Sequence, residues 1–332
     1  MSVDTIFRAL ADPTRLRIAR LLGTMELAVG ELAQVLGQSQ PRVSRHVGIL
    51  CDAGLAERRR EGSWVFLRAP AGDDISVLVE AVARLLAIAE REDAGFAKAC
   101  EDDRRKLASI RNTREANAED YFAEHAGEWD ELRAMHSPDT LVEEALIEAL
   151  GASQLGSLLD IGTGTGRMAE LFAPNAERIV ALDKNLEMLR VARAKLQHLP
   201  ADRIELVQGD FGDLPFDAAS FDTILLHQVL HFAQEPEQAL AEAARVTRPG
   251  GRIAIVDFAA HDREELRTRH AHARLGFSDR QLRDLLRSAG FSAKAPIALD
   301  GGELVVKIWI GARRSAGPVD AAIAPSHSEK SA

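Results

Sequence analysis

LLDIGTGTGRMAELFA, residues 158–173, is the stretch that decides how the larger part of this chain folds. An apolar run, Leu158 to Ile161, enters Gly162-Thr163-Gly164-Thr165-Gly166 and then a helical pattern. A strand that ends in turns without side chains lets a ligand come close to the backbone. Many folds carry such a loop. Here, however, the spacing is GxGxG, Arg167 stands where a dinucleotide fingerprint has its third glycine, and Asp160 precedes the loop. A carboxylate there opposes a pyrophosphate and suits a ligand with positive charge, of which an aminoacyl sulfonium is one.

Outward from this loop, short apolar runs alternate with helical patterns. The runs are Ile179 to Asp183, Ile204 to Val207, Phe221 to Leu226 and Ile253 to Val256. This alternation means a parallel α/β sheet, which binds ligands at the carboxyl ends of its strands. Asp183 closes the second run, 17 residues beyond Gly166, where a carboxylate accepts from ribose hydroxyls. Asp210 follows the third run and can accept from an exocyclic adenine amine, with Phe211 flanking the ring. Each acid alone is more often a strand-end cap than a ligand group; it is their order after a glycine loop that carries weight.

The stretch from Tyr121 to Arg313 resembles a class I S-adenosylmethionine (SAM)-dependent methyltransferase of the ubiquinone-biosynthesis type. LLDIGTGTGRMAELFA, VALDKNLEMLRVARAKL, VQGDFGDLPF, SFDTILLHQVLHF and RVTRPGGRIAIVDF match in order and spacing. The resemblance implies a Rossmann-like seven-stranded sheet whose last strand, within ELVVKIWIGAR, is antiparallel. It also implies that SAM or S-adenosylhomocysteine (SAH) is held by Asp160, Gly162 and Gly164 at its methionyl part, by Asp183 at its ribose and by Asp210 and Phe211 at its adenine, with Thr163, Gly166, Lys184 and His227 also in the cofactor site. His227, at the end of the fourth run, faces the same ligand edge. Methyl transfer asks mainly for alignment and an unprotonated nucleophile, so His227 is the candidate catalytic base, with a positioning role the alternative. Tyr121, His125, Trp129 and His136 precede the sheet as a candidate lid over a small-molecule acceptor, although Trp129 also reads as core. His261, His270 and His272 have a loose HxH spacing but no partner carboxylate or cysteine, so no metal is expected. Arsenite methyltransferases share the fold but work through cysteines, and residues 121–313 contain none.

The first seventy residues read differently. They carry ten arginines against seven acids, whereas the whole chain of 332 residues has a formal charge of -10. Asp12-Pro13 opens a helix up to Gly23, a short helix ends at Gly37, and a third runs from the Ser39 cap to the Gly54 stop. On a helical wheel Val43, Val47 and Leu50 take one side of the third helix, and Arg45 and Gly48 the other, flanked by Arg42 and Ser44. That face suits a major groove, though an ordinary solvated face reads the same way. Two short strands follow, joined at Glu61-Gly62-Ser63, with Arg58, Arg59 and Arg60 as a phosphate-gripping wing. This segment resembles the winged helix-turn-helix of ArsR/SmtB-type regulators through ALADPTRLRIARLL, the Ser-Arg-His of the third helix, the AGL stop and RRREG. The resemblance implies an α+β DNA-binding domain that contacts double-stranded palindromic DNA through Gln40, Arg42, Ser44, Arg45, His46, Arg58, Arg59 and Arg60. Metal-sensing members carry a cysteine pair where this chain has Ala28 and Gly30. The helix from Ile75 to Arg91 carries Ile75, Leu78, Val82, Leu85 and Ala89 at coiled-coil spacing, widened by Val79 and Leu86; it either pairs two copies as a homodimer or covers its own domain.

The expected division is therefore a winged helix over 1–95, a charged connector over 96–120, a methyltransferase domain over 121–313 and a disordered tail over 314–332. Twelve of the 23 residues from Lys98 to Asp120 are charged, which predicts a solvated helical arm. No run approaches the ~18 apolar residues of a membrane helix. The N-terminus lacks the pattern of a signal peptide and Cys51 and Cys100 are the only cysteines, so the cytoplasm is the expected location. The functional expectation is a transcriptional regulator that links DNA binding to SAM and methionine metabolism. The alternative is a working small-molecule methyltransferase whose winged helix autoregulates or only dimerises.

Overall fold

The structure is a computed structural model that describes residues 2–61, 64–70, 76–127, 129, 139–151, 155–200, 202–300 and 302–314. Gly62 and Ser63 of the expected hairpin turn, Ile75, His136 and the tail beyond Arg314 lie outside these residues.

The N-terminal half is built from α1 (Val3–Leu10), α2 (Pro13–Leu22), β1 (Leu27–Ala28), α3 (Val29–Leu36), α4 (Gln40–Asp52), β2 (Glu57–Glu61), β3 (Trp64–Arg68) and α5 (Val77–Glu92). The caps lie where the sequence puts them: the Asp12 carboxylate accepts from the main-chain N–H groups of Thr14 and Arg15, and Gly37 and Gly54 take positive φ. Val43, Val47 and Leu50 are buried against Ile18, Leu32 and Leu67. In α5, Val79 and Leu86 face the body of their own domain, while Val77, Leu78, Leu85 and Ile88 stay exposed. Strand β1, which the sequence reading missed for its brevity, adds to the hairpin beside β3.

Helix α6 runs unbroken from Ala94–His125, across both expected domain boundaries. One side of it is buried rather than solvated. Leu107 is sealed into the winged-helix core, Cys100 is buried, and Asp103 lies fully buried in a bidentate pair with Arg17 of α2. Glu90 of α5 joins Arg20 of α2 to Arg104 of α6. The charge density that reads as solvation is thus partly spent on pairing within the protein.

The second half comprises α7 (Asp139–Leu150), β4 (Ser157–Ile161), α8 (Arg167–Phe172), β5 (Arg178–Asp183), α9 (Leu186–Leu196), β6 (Ile204–Gln208), β7 (Phe221–His227), a 3-10 turn (Leu230–Phe232), α10 (Pro236–Val246), β8 (Thr247–Phe258), α11 (Glu265–Arg269), α12 (Asp279–Ser288), β9 (Phe291–Ala293), β10 (Ile297–Leu299) and β11 (Val306–Arg313). The sheet order is β6-β5-β4-β7-β8-β11, parallel except for β11. Two short strands, β9 and β10, pair with opposite ends of one edge of β11 and share a single position, so eight strands fill seven places. One apolar cluster covers each face of the sheet. Connections leave β4 toward β5 on one side, and β7 lies on the other, which makes the carboxyl ends of β4 and β7 the switch point where such sheets open a crevice. No described helix is long and apolar enough to cross a membrane.

Candidate functional site

At that switch point lies a cavity of about 590 Å³. Asp160, Gly162, Thr163, Gly164, Asp183, Lys184, Asp210, Phe211 and His227 all line it, so the residues singled out from the sequence converge. Gly166 stands one step back, as the left-handed N-cap of α8.

The loop is held by its own hydrogen bonds. Thr163 donates its hydroxyl to Asp160 Oδ2 at 2.6 Å and its main-chain N–H to Leu182 at 2.9 Å, and Gly164 donates its N–H to Asp183 Oδ2 at 2.8 Å. Gly162 has φ +69°, and a Cβ there would sit 2.3 Å from Val229 Cγ2. Only glycine allows this approach of the β4 turn to the segment after β7. Burial pushes the Asp183 carboxyl above its usual range, partly offset by the N–H groups of Asn185, Gly164 and Lys184. Lys184 bridges Glu119 of α6 at 2.8 Å and Asp210 at 3.2 Å, and the Asn185 side chain donates to the Glu119 carbonyl at 3.0 Å. The end of α6 is thereby tied over the tips of β5 and β6.

Of the expected lid, Trp129 lines the cavity together with Phe122, and both pack on Phe232, with Phe122 and Phe232 centroids 4.8 Å apart. Tyr121 and His125 lie outside the lining: Tyr121 OH is 2.8 Å from His270 Nδ1, and His125 stacks on Tyr121. His261, His270 and His272, grouped by the sequence, diverge, because His270 joins Tyr121, His272 packs between His231 and Phe258, and His261 accepts from the Arg263 N–H. Among the described residues no group of His, Cys, Asp or Glu is arranged to hold a metal.

Two features were not foreseen. His231, 2% exposed, points Nδ1 at Asp257 Oδ1 at 2.8 Å, and the carboxylate also accepts from the His231 N–H. An acid closing the apolar run IAIVDF was the available signal. The second is that the cavity has a wall from the other half: Met25 before β1, and Arg104, Leu107, Ala108, Arg111 and Asn112 of α6. No local pattern announces this wall.

Of the residues expected at DNA, Gln40, Arg42, Ser44 and Arg45 lie exposed on α4, and His46 is half-buried with Nδ1 3.8 Å from Asp12 Oδ1. Gln40, Ser44 and Arg58 share a groove of about 510 Å³. The strand alternation separates the three wing arginines: Arg58 and Arg60 are exposed, whereas Arg59 pairs in register with Phe66 and makes a bidentate bond to Glu26 at 3.0 and 3.1 Å.

Known proteins resemble both halves of the chain. Residues 12–58 match the family described as "Bacterial regulatory protein, arsR family", and residues 159–255 match the family described as "Methyltransferase domain". A Streptomyces fradiae relative, an uncharacterized 37.1 kDa protein in transposon TN4556, is 32% identical over 173 residues, covering 47% of this chain and 49% of that protein. A demethylmenaquinone methyltransferase of Renibacterium salmoninarum is 36% identical over 113 residues, covering 34% and 46%. The chain thus spans about half the length of these curated relatives. The crystal structure of the YcgJ protein from Bacillus subtilis superposes with a TM-score of 0.47 at 19% identity, covering 52% of this chain and 98% of that one. The protein therefore carries an ArsR-type helix-turn-helix followed by a Rossmann-like methyltransferase domain.

Proposed function

We propose that this protein is a dimeric, cytoplasmic transcriptional regulator whose methyltransferase domain binds SAM or SAH and thereby changes how the winged helix engages DNA. One observation carries the reading. The cavity that holds Asp160, Asp183 and Asp210 is completed by Met25, Leu107, Arg111 and Asn112 of the other half, so whatever fills it touches both. A ligand with different affinity for two arrangements of the halves shifts their population, and linkage makes the effect reciprocal.

The cavity suits this cofactor in shape and chemistry. Gly162 lets the β4 turn close against Val229 at the cavity edge, buried Asp160 supplies negative charge for a methionyl ammonium and sulfonium, and Asp183 and Asp210 stand at successive strand ends for ribose and adenine. Gly164 and Gly166 keep the loop in its left-handed turns, Lys184 holds Asp210, and Phe211 borders the adenine side. Gln40, Arg42, Ser44, Arg45 and His46 present the recognition helix, with Arg58 and Arg60 on the wing. A palindromic operator follows from a two-fold dimer. Exposed Leu78, Leu85 and Ile88 of α5 supply an apolar face for the second copy.

The second reading, an active methyltransferase, is favoured by His227 at the end of β7 and by the aromatic wall of Phe122, Trp129 and Phe232. The bound cofactor would supply an electrophilic methyl group. The chain would align an acceptor against it, exclude water with the aromatic wall and take the acceptor's proton at His227. Relatives named demethylmenaquinone methyltransferase fit this reading and point to a small-molecule acceptor.

Calorimetric titration with SAM and SAH, without and then with duplex DNA from the protein's own upstream region, separates the two. Ligand affinity that shifts by about 5-fold or more when DNA is present establishes the regulator. Tight binding indifferent to DNA, with methyl consumption on acceptor addition, establishes the enzyme.

A further inference from the structure

The two halves meet through buried charges. Glu26, just before β1, accepts both bonds from Arg59 of the wing and a third from Arg274 Nη1 of the methyltransferase half at 2.7 Å. The Glu26 and Arg274 side chains are only 8% and 3% exposed. Arg274 also donates to the Gln234 carbonyl at 2.8 Å, and its guanidinium lies 4.4 Å from the centre of the Phe66 ring, with that of Arg59 at 5.0 Å. A second arm runs alongside: Arg111 of α6 pairs with Glu235 and faces Glu31 at 3.7 Å, while Gln234 donates to the Arg111 carbonyl at 3.3 Å. Arg59, Arg111 and Arg274 thus stand against Glu26, Glu31 and Glu235. Burial works to raise the Glu26 carboxyl, but Arg274 and Arg59 outweigh it and hold it below its usual range.

Both arms border the ligand cavity. Met25, next in the chain to Glu26, lines it, as do Arg111, Gln234 and Glu235. The other end of the network is the wing itself, because Arg59 and Phe66 are cross-strand partners in the hairpin. At the centre of this network an intermediate geometry is costly, since parting Glu26 from Arg274 strands both charges away from water. Such an interface is either made or broken.

We propose that Glu26, gripping Arg59 and Arg274 together, is the latch through which the state of the ligand cavity is transmitted to the DNA-binding wing. This rests on the regulator reading of the cavity. A ligand that moves Met25 or the 234–235 segment shifts the Glu26 carboxylate from its two arginines, and the wing follows. The Glu26 carboxylate is held by Arg59 and Arg274, neither of them a candidate cofactor residue nor on α4, so it serves coupling rather than either binding event.

The test measures SAH affinity with and without duplex upstream DNA in the full-length native protein and in Glu26→Gln. The expected result is a DNA-dependent ratio of about 5-fold or more in the native protein, falling below about 2-fold in the variant, with SAH alone bound within about 3-fold of native. Should Glu26→Gln fail to fold, the double variant Glu26→Gln/Arg274→Met, which removes both charges of this buried pair together and leaves Arg59, 25% exposed, within reach of water, answers in its place. A ratio in either variant equal to the native one overturns the latch and leaves the regulator reading standing. No ratio in the native protein overturns the regulator reading and the latch with it.

Discussion

The two walls of the cavity are made by different physics. The wall from β4, β5 and β7 is largely backbone: positive-φ glycines and N–H groups held by strand-end carboxylates, Asp160 on Thr163 within the loop and Asp183 on Gly164 from the adjacent strand. The wall from Met25 and α6 is side chain, held by pairs such as Arg17 with Asp103 and Glu26 with Arg274 that join distant parts of the chain. A backbone wall recognises one ligand and yields little. A side-chain wall anchored by ion pairs can part and re-form, which is what communication between the halves requires.

Breaking the first wall is expected to have the largest effect. Gly162→Ala places a methyl group inside Val229 at a left-handed φ, so SAM and SAH binding should vanish from calorimetry, and the melting temperature should fall as well. Retained binding would mean that the loop is not the cofactor cradle. Next comes the anchor of the second wall. Leu107→Ala opens the winged-helix core beneath α6 and should cost about 2–5 kcal/mol in urea unfolding of the N-terminal half. A loss below about 1 kcal/mol would show α6 to be only loosely attached.

Asp183→Asn sharpens the contrast. Removing the charged acceptor proposed for the ribose should weaken SAH by about 1.5–3 kcal/mol, read by calorimetry. The pH dependence follows from burial, which raises this carboxyl in the folded protein. Ligand affinity should begin to fall on acidification above the ordinary carboxylate range, because the protonated acid no longer accepts both bonds. Stability of the ligand-free protein should move the opposite way, since a raised folded-state value contributes stability that is present at low pH and lost as pH rises through it. Asp183→Asn should flatten both profiles. The smallest effect is expected on the DNA side: Arg58→Ala should weaken duplex binding uniformly and lower the salt slope by about 0.9 per protomer, read by anisotropy across ionic strengths. Arg59→Ala should leave that slope unchanged if Glu26 keeps its guanidinium from phosphate.

Arg58, Arg59 and Arg60 also show where sequence reading stops. As letters they form one basic cluster, yet alternation sends the middle one to the opposite face, where Glu26 and Phe66 await it. The reading of Lys98 to Asp120 as solvated fails for a related reason, because Asp103 is paired with Arg17, 86 residues earlier, and composition says nothing of such partners. Strands β1, β9 and β10 are too short to carry a periodic signal and exist through their pairing with β3 and β11.

What the residue order settles is everything within reach of local rules. The GxGxG turn, acids closing successive apolar runs, the Asp12 cap and the 3.6-residue spacing of Val43, Val47 and Leu50 each act over a few neighbours, and their physics is complete within that span. The meeting of Glu26 with Arg274, 248 residues away, obeys no such rule. Which arginine finds which carboxylate depends on how the N-terminal core and the sheet dock, and only the docked geometry excludes the water that would otherwise make one surface charge equivalent to another.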